Sequence, residues 1–135
     1  MKYDVSFDAN SVFELSQNSS YAKLLGMKVL EVSEGRAKIS MKLTEELLNP
    51  LNSPHGGAIF SLADHAGGTA ALTLGPCVGT QTSANFIASP ETGEVIVAEA
   101  RVVHNGRKTR IVEVEVKDKD GRLLVKGTAV AIVLE

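Results

Sequence analysis

Cysteine is nearly absent from this chain. Cys77 stands alone among 135 residues, so no internal disulfide can form and no cysteine-based metal site can be assembled. A reducing compartment fits that usage without being required by it. Excess charge of one sign is missing too. Fourteen Lys and Arg against sixteen Asp and Glu leave a formal net charge of −2, which provides no global attraction for nucleic acid. An anionic ligand must therefore be met by local groups. Long apolar runs are also lacking: nothing approaches the roughly 20 apolar residues that a membrane span requires. Met1-Lys2-Tyr3-Asp4 leads into no apolar stretch of signal-peptide length. The expectation is a cytoplasmic protein with neither membrane nor nucleic acid as partner. What is present, 44% hydrophobic and 22% charged residues, is globular rather than disordered or collagen-like. The length suits one domain over residues 1–135, without linker, repeat or low-complexity segment.

Periodicity orders the chain. Val12, Leu15, Tyr21 and Leu24 follow a partial helical spacing across 11–25, with Ser11 as a possible cap and Gly26 as a stop. From Met27 the period changes: Lys28, Leu30 and Val32 alternate, and Gly35 turns the chain. Arg36, Lys38, Ser40 and Lys42 then stand opposite Ala37, Ile39, Met41 and Leu43, which predicts a hairpin. The last third alternates again. Ile96, Ala98, Ala100 and Val102 share one side, Asn105-Gly106 offers a two-residue hairpin turn, and Val112, Val114 and Val116 define the next strand. After a turn at Asp120-Gly121, Leu123, Val125, Gly127, Ala129, Ala131 and Val133 form a face with small side chains at its centre. Such a face lets another element approach closely. The candidate is the one strong helix, over 56–74, which is apolar or small nearly all the way round and so must be covered on most sides. The simplest architecture is α+β, a curved antiparallel sheet wrapped around one long central helix.

Two features of this helix point to chemistry. Asp64 and His65 interrupt its apolar middle. An ionised carboxylate buried without partners costs several kcal/mol, so Asp64 must be paired, protonated or beside water, and a carboxylate so placed suits a general base. The alternative is a helix that surfaces at one point and leaves Asp64 hydrated. The second feature is the Pro54-His55-Gly56-Gly57 turn that opens the helix. Free N–H groups and the positive dipole end there can hold a developing oxyanion, although two glycines also simply make tight turns. Gly56 and Asp64 lie eight residues apart, roughly 12 Å along a helix. One reacting carbonyl cannot reach both within one chain. If both act on one substrate they come from different subunits, and a two-fold dimer supplies two composite sites.

At these residues the sequence resembles the hotdog-fold thioesterases, in their phenylacetate-pathway (PaaI-like) branch. The matching stretches are Asn49-Pro50-Leu51-Asn52-Ser53-Pro54-His55-Gly56-Gly57 and Phe60-Ser61-Leu62-Ala63-Asp64, with His104-Asn105-Gly106-Arg107 and Asp120-Gly121-Arg122-Leu123 resembling the family's C-terminal hairpins. The resemblance covers 26–133 and implies hydrolysis of an acyl-CoA thioester to free acid and CoA, with no cofactor other than water. It implies Asp64 as general base or nucleophile and the Gly56 N–H as the group that polarises the carbonyl across a subunit boundary. It further implies His55 as the residue placing that carbonyl and holding the turn, with Gly57 beside it, and Asn49 as the group orienting the water or acyl group. A hydroxyl supporting the carboxylate falls on Thr80 or Thr82, of which Thr82 is the choice. Asn49 before Pro50 is also a turn starter, and His55 may serve the loop alone.

Arg107, Lys108 and Arg110 would meet CoA phosphates, or merely solvate a hairpin. His55, Asp64, His65 and His104 show no metal-ligand spacing, and no nucleophile elbow is present; no metal is expected. The implied assembly is a homodimer or a dimer of dimers. A non-catalytic acyl-CoA-binding module on the same fold is the alternative. Asp64 discriminates, because hydrolysis needs a base and binding an uncharged thioester does not. A hotdog dehydratase, pairing His65 or His55 with Asp64, is a third reading.

Overall fold

The structure, a computed structural model, describes residues 3–134; the expectations attached to Met1, Lys2 and Glu135 lie outside the described residues. Six strands form one antiparallel sheet: β1 (Met27–Ser33), β2 (Arg36–Lys42), β3 (Cys77–Phe86), β4 (Val95–Asn105), β5 (Thr109–Lys117) and β6 (Leu123–Val133). Their spatial order is β1-β2-β4-β5-β6-β3. Helices α1 (Ala9–Gln17) and α2 (Ser20–Leu24) precede the sheet, and α3 (Gly56–Leu72) connects β2 to β3 across it. That crossing carries β3 to the far edge, beside β6, and lays α3 over the central strands. Among the described residues no helix is long and apolar enough to cross a membrane.

One face of α3 builds the core. Ile59, Leu62, Ala63, Ala66 and Ala70 recur at helical spacing and are buried against Ile39, Met41, Ile96, Ala98, Val112, Val114 and Val116. The small face expected on the last strand does admit the helix. A Cβ on Gly67 would stand only 3.4 Å from Val114 Cγ2 and 3.9 Å from Ala129 Cβ. The strands β2 and β5 follow the expected alternation, with Ala37, Ile39, Met41, Val112, Val114 and Val116 all buried.

Several expectations are corrected. The helical segment over 11–25 is two helices, broken at Asn18 and Ser19. Asp8, not Ser11, caps the first, its Oδ1 accepting the Ser11 N–H at 2.9 Å, and Ser19 caps the second. The break resets the helical phase, so Val12, Ser16 and Ala22 are buried while Leu15, Tyr21 and Leu24 are exposed. Gly26 ends the segment as expected, at φ 71°. In β1, Met27 and Val29 face the core and Leu30 is exposed, because a bulge between Val29 and Glu31 absorbs one residue and returns Val32 to the core side. On β6, Leu124 is buried as well as Val125, where Ile87 and Ala88 donate to the Leu124 carbonyl. The β4–β5 turn is displaced. A register shift between Val102 and His104 pairs Asn105 with Arg110, and the Gly106 N–H donates to the Thr109 carbonyl at 2.8 Å. The tip is therefore Arg107-Lys108, and neither Asn105 nor Gly106 needs positive φ.

The central helix ends at Leu72 rather than 74, because Thr73, Leu74 and Gly75 donate to carbonyls three residues back and Gly75 takes a positive φ of 116°, and Arg110 caps the end so formed. Arg110 is only 4% exposed. It donates to the carbonyls of Ala71 at 3.3 Å, Leu74 at 2.7 Å and Gly75 at 2.9 Å, and through Nε to Asn105 Oδ1 at 3.0 Å. Carbonyls of the last turn and of the residues just after it, with the negative end of the helix dipole, take the place of a carboxylate counter-charge. Arg110 is thus committed to the fold and not free for a ligand phosphate. Arg110→Ala is expected to lower the free energy of unfolding by about 3 kcal/mol, since it leaves the part-buried Leu74 and Gly75 carbonyls without a donor and removes a buried, charge-assisted contact to Ala71. Arg110→Lys should recover part of this, having charge but no planar fork. Urea denaturation at fixed protein concentration measures both; an unchanged midpoint in Arg110→Ala would contradict the cap.

Candidate active site

At its N-terminal end, α3 grows out of a loop held by its own polar groups. Asn49 Oδ1 accepts the N–H groups of Leu51 at 2.9 Å and Ser53 at 3.1 Å, the Asn49 N–H donates to the Ser53 carbonyl, and Asn52 takes a positive φ of 59°. The turn-forming role of Asn49 is therefore real. Its amide NH2 makes no hydrogen bond among the described residues and remains a free donor. The His55 N–H donates to the Leu47 carbonyl at 2.7 Å, and His55 Nδ1 accepts the Gly57 N–H at 2.8 Å. In the neutral ring this puts the proton on Nε2. The ring also explains Gly57: a Cβ there would stand 2.9 Å from His55 Nδ1. Gly57 contributes room for the cap, and its N–H is already engaged.

The Gly56 N–H differs, having no acceptor among the described residues. It lies at the positive end of a helix of 17 residues. Gly56 also borders a cleft of about 300 Å³ together with Asn49, Pro54, Ile59, Phe86 and Pro90. The Phe86 ring covers this helix start, 3.5 Å from where a Gly56 Cβ would be.

Asp64 lies two turns further along and is exposed in the single chain. The helix is covered on most sides, as expected, and of the two readings of Asp64 the structure selects the one in which the helix surfaces at one point. Gly57, Asp64 and Gly68 form an exposed stripe, flanked by half-buried Phe60, Ser61 and Leu72. Thr82 Oγ1 donates to Asp64 Oδ1 at 3.2 Å, whereas Thr80 Oγ1 donates to the Val130 carbonyl. A register shift between Gly79 and Gln81 separates the two threonines, which alternation alone had placed on one face. Asp64, Gly67, Gly68, Ala71, Cys77, Gly79, Thr82 and Ala129 border a second cavity of about 130 Å³. Burial pushes the Cys77 thiol up, with the Arg110 guanidinium opposing part of that shift. Cys77 therefore stays a neutral thiol at neutral pH and is a poor nucleophile.

Helix and strand keep step along the site. Eight residues of α3 from Gly56 to Asp64 rise roughly 12 Å, and four residues of β3 from Thr82 to Phe86 span about 13 Å. Thr82 accordingly meets Asp64 while Phe86 meets Gly56. Counting by twos from Thr82 through Ala84 would have identified Phe86, which sequence reasoning passed over. The same spacing leaves Gly56 and Asp64 in two different clefts of one chain.

The remaining candidates separate from both clefts. His65 Nε2 lies 2.9 Å from Ser16 Oγ and 3.1 Å from the Ser16 carbonyl, Ser16 Oγ is 2.8 Å from Thr69 Oγ1, and Thr69 Oγ1 donates to the His65 carbonyl. This network pins α1 to α3 and gives His65 a structural task. His104 is exposed on β4. Arg107 and Lys108 are exposed at the hairpin tip, with no side-chain hydrogen bond among the described residues, and border neither cleft. No three His, Cys, Asp or Glu side chains group together among the described residues.

Comparison with known proteins places this geometry. Residues 52–125 match the family model of the thioesterase superfamily. The acyl-coenzyme A thioesterase PaaI of Escherichia coli is 33% identical over 110 residues, covering 81% of this chain and 76% of that protein. Its structure superposes with a TM-score of 0.86, at 28% identity over 90% of this chain and 89% of the other. A 1,4-dihydroxy-2-naphthoyl-CoA hydrolase of Listeria monocytogenes is 31% identical over 74% of this chain and 84% of its own. A hypothetical thioesterase protein of Streptococcus pneumoniae, solved with coenzyme A, superposes with a TM-score of 0.77, at 27% identity over 95% and 92% of the two chains. With the antiparallel sheet around α3, these similarities show that the chain belongs to the thioesterase superfamily, as a PaaI-like enzyme of the hotdog fold.

Proposed function

We propose that this protein hydrolyses an acyl-CoA thioester to the free acid and CoA, at a site completed by Gly56 of one subunit and Asp64 of another. The observation that carries the reading is the free Gly56 N–H at the start of α3 combined with a threonine-supported carboxylate two turns away. The coenzyme A thioesters named for the Escherichia coli and Listeria relatives, and the coenzyme A bound by the streptococcal one, support the substrate class.

In the reaction, the thioester carbonyl oxygen accepts from the Gly56 N–H, where the helix dipole favours the charge that builds up. Asp64 takes a proton from water as the water oxygen bonds to the carbonyl carbon. Collapse of the tetrahedral intermediate breaks the carbon–sulfur bond, the proton held by Asp64 passes to the CoA thiolate, and the carboxylic acid releases its own proton to solvent as it leaves. Attack by Asp64 itself, followed by hydrolysis of the anhydride, gives the same products. Thr82 holds one carboxylate oxygen and leaves the other for the water. The free amide NH2 of Asn49 and the Nε2–H of His55 are donors available to position the acyl group or water beside Gly56. Arg107 and Lys108, free of protein partners, would meet the anionic end of CoA.

A homodimer follows from the two separated clefts, and the edges of the sheet support it. Strand β3 is an outer strand of ten residues without one charged side chain, whereas the opposite edge strand, β1, carries Lys28 and Glu31. Long uncharged edges are templates for pairing with another chain. The absence of a charged guard on β3 favours this edge as the one to which a second copy adds.

Thiol release from acetyl-, hexanoyl-, decanoyl- and benzoyl-CoA tests the activity. Asp64→Asn should reduce kcat by roughly 10³-fold or more, and full activity in that variant, or no turnover of any substrate by the unaltered enzyme, would remove the reading. Gly56→Pro deletes one N–H at the first helical position, where proline is tolerated, and His55 already has extended backbone before it. It should reduce kcat by about 10²- to 10³-fold with the fold intact. Sedimentation showing a stable, active monomer would contradict the shared site.

A further inference from the structure

The four glycines of α3 do not share one explanation. Gly56 faces the Phe86 ring, Gly57 makes room for the His55 cap, and Gly67 lets the helix settle on Val114 and Ala129. Around Gly68 an added Cβ would meet nothing within 4 Å. Packing within the chain therefore gives no reason for a glycine there, although glycine is among the least favoured residues in a helix interior. Its position is specific. Gly68 lies one turn after Asp64 on the same exposed stripe, and both border the cavity of about 130 Å³. The other walls near it, Gly67, Ala71, Gly79 and Ala129, are small as well, and Leu72, Cys77 and Val112 are the bulkier apolar groups that limit it.

We propose that the missing side chain at Gly68 is the space in which the acyl group lies beside Asp64, so that residue 68 sets the size of acyl group accepted. The inference rests on the thioesterase reading of the same site. The volume is close to the roughly 150 Å³ of a cavity that holds one benzene molecule. It therefore matches a compact, uncharged acyl group with about six carbons, and the apolar walls with no cation among them disfavour a carboxylated one.

The test is the ratio of kcat/KM for hexanoyl-CoA to that for acetyl-CoA, measured in the unaltered enzyme, Gly68→Ala and Gly68→Leu, with decanoyl-CoA as a third substrate. The unaltered enzyme should prefer hexanoyl-CoA to both others. The ratio should fall in Gly68→Ala and fall by at least tenfold in Gly68→Leu, the scale on which a pocket discriminates single methylene groups. The thermal midpoint of Gly68→Ala should not decrease, because the added methyl meets open space and alanine favours the helix. An unchanged ratio in both variants, equal losses on all three substrates, or dissociation of the oligomer in sedimentation would overturn the inference; the last would make Gly68 a subunit contact. These outcomes leave an Asp64-dependent hydrolase standing. Absence of turnover in the unaltered enzyme would instead overturn the hydrolase reading and this inference together.

Discussion

The rigid rise of α3 is the constraint on which the rest of the molecule depends. A straight helix fixes Gly56 and Asp64 roughly 12 Å apart, and the sheet, loop and caps all act to hold that helix still. Arg110 gathers the carbonyls at its C-terminal end, and His55 closes on the Gly57 N–H at the other. Gly67 brings the middle against Val114, while the Ser16–His65–Thr69 network fastens α1 to it. Because α3 is immobilised over its length, β3 can run beside it in step. Thr82 then reaches the carboxylate and Phe86 the start of the helix at Gly56 without a special loop.

Glycine has a different physical task at each position along this helix. At Gly56 and Gly57 the issue is access to backbone N–H groups, one left free and one taken by the histidine cap. At Gly67 it is distance to the sheet, and at Gly68 it is empty volume beside the carboxylate. The glycines of α3 thus divide into donor, cap, contact and cavity. The glycine content of α3 is a cost in helix propensity that tertiary packing of its opposite, apolar face offsets.

Much of the framework was legible in the sequence because one buried face writes a period into it. The alternations Ala37-Ile39-Met41 and Val112-Val114-Val116 locate β2 and β5, and the apolar run after Gly57 locates α3. The features that resisted reading are those in which local chemistry resets the period. Caps at Asp8 and Ser19 split the first helical segment, and bulges near Leu30, Thr80 and Val103 shift registers by one residue. At the site, the spacing of Gly56 and Asp64 was visible, and so was their incompatibility within one chain. The exposure of Asp64 stood only as the less favoured of two readings, since a helix without a polar face reads as covered, whether the cover is its own chain or another. Arg110 looked like one member of a basic cluster with Arg107 and Lys108. Only the topology that lays the end of α3 over β5 reveals it as a buried cap.

The central claim, that each active site takes Gly56 from one subunit and Asp64 from its neighbour, is tested most directly by mixing two inactive chains. Gly56→Pro and Asp64→Asn proteins, co-expressed in equal amounts with distinct tags and purified together, form mixed dimers. Such a dimer carries one site with both lesions and one site with none, so the random mixture should recover about one quarter of wild-type activity. Doubly tagged dimers isolated from it should recover about one half. Mixed dimers no more active than either parent would show that both groups act within one chain, and would contradict the account.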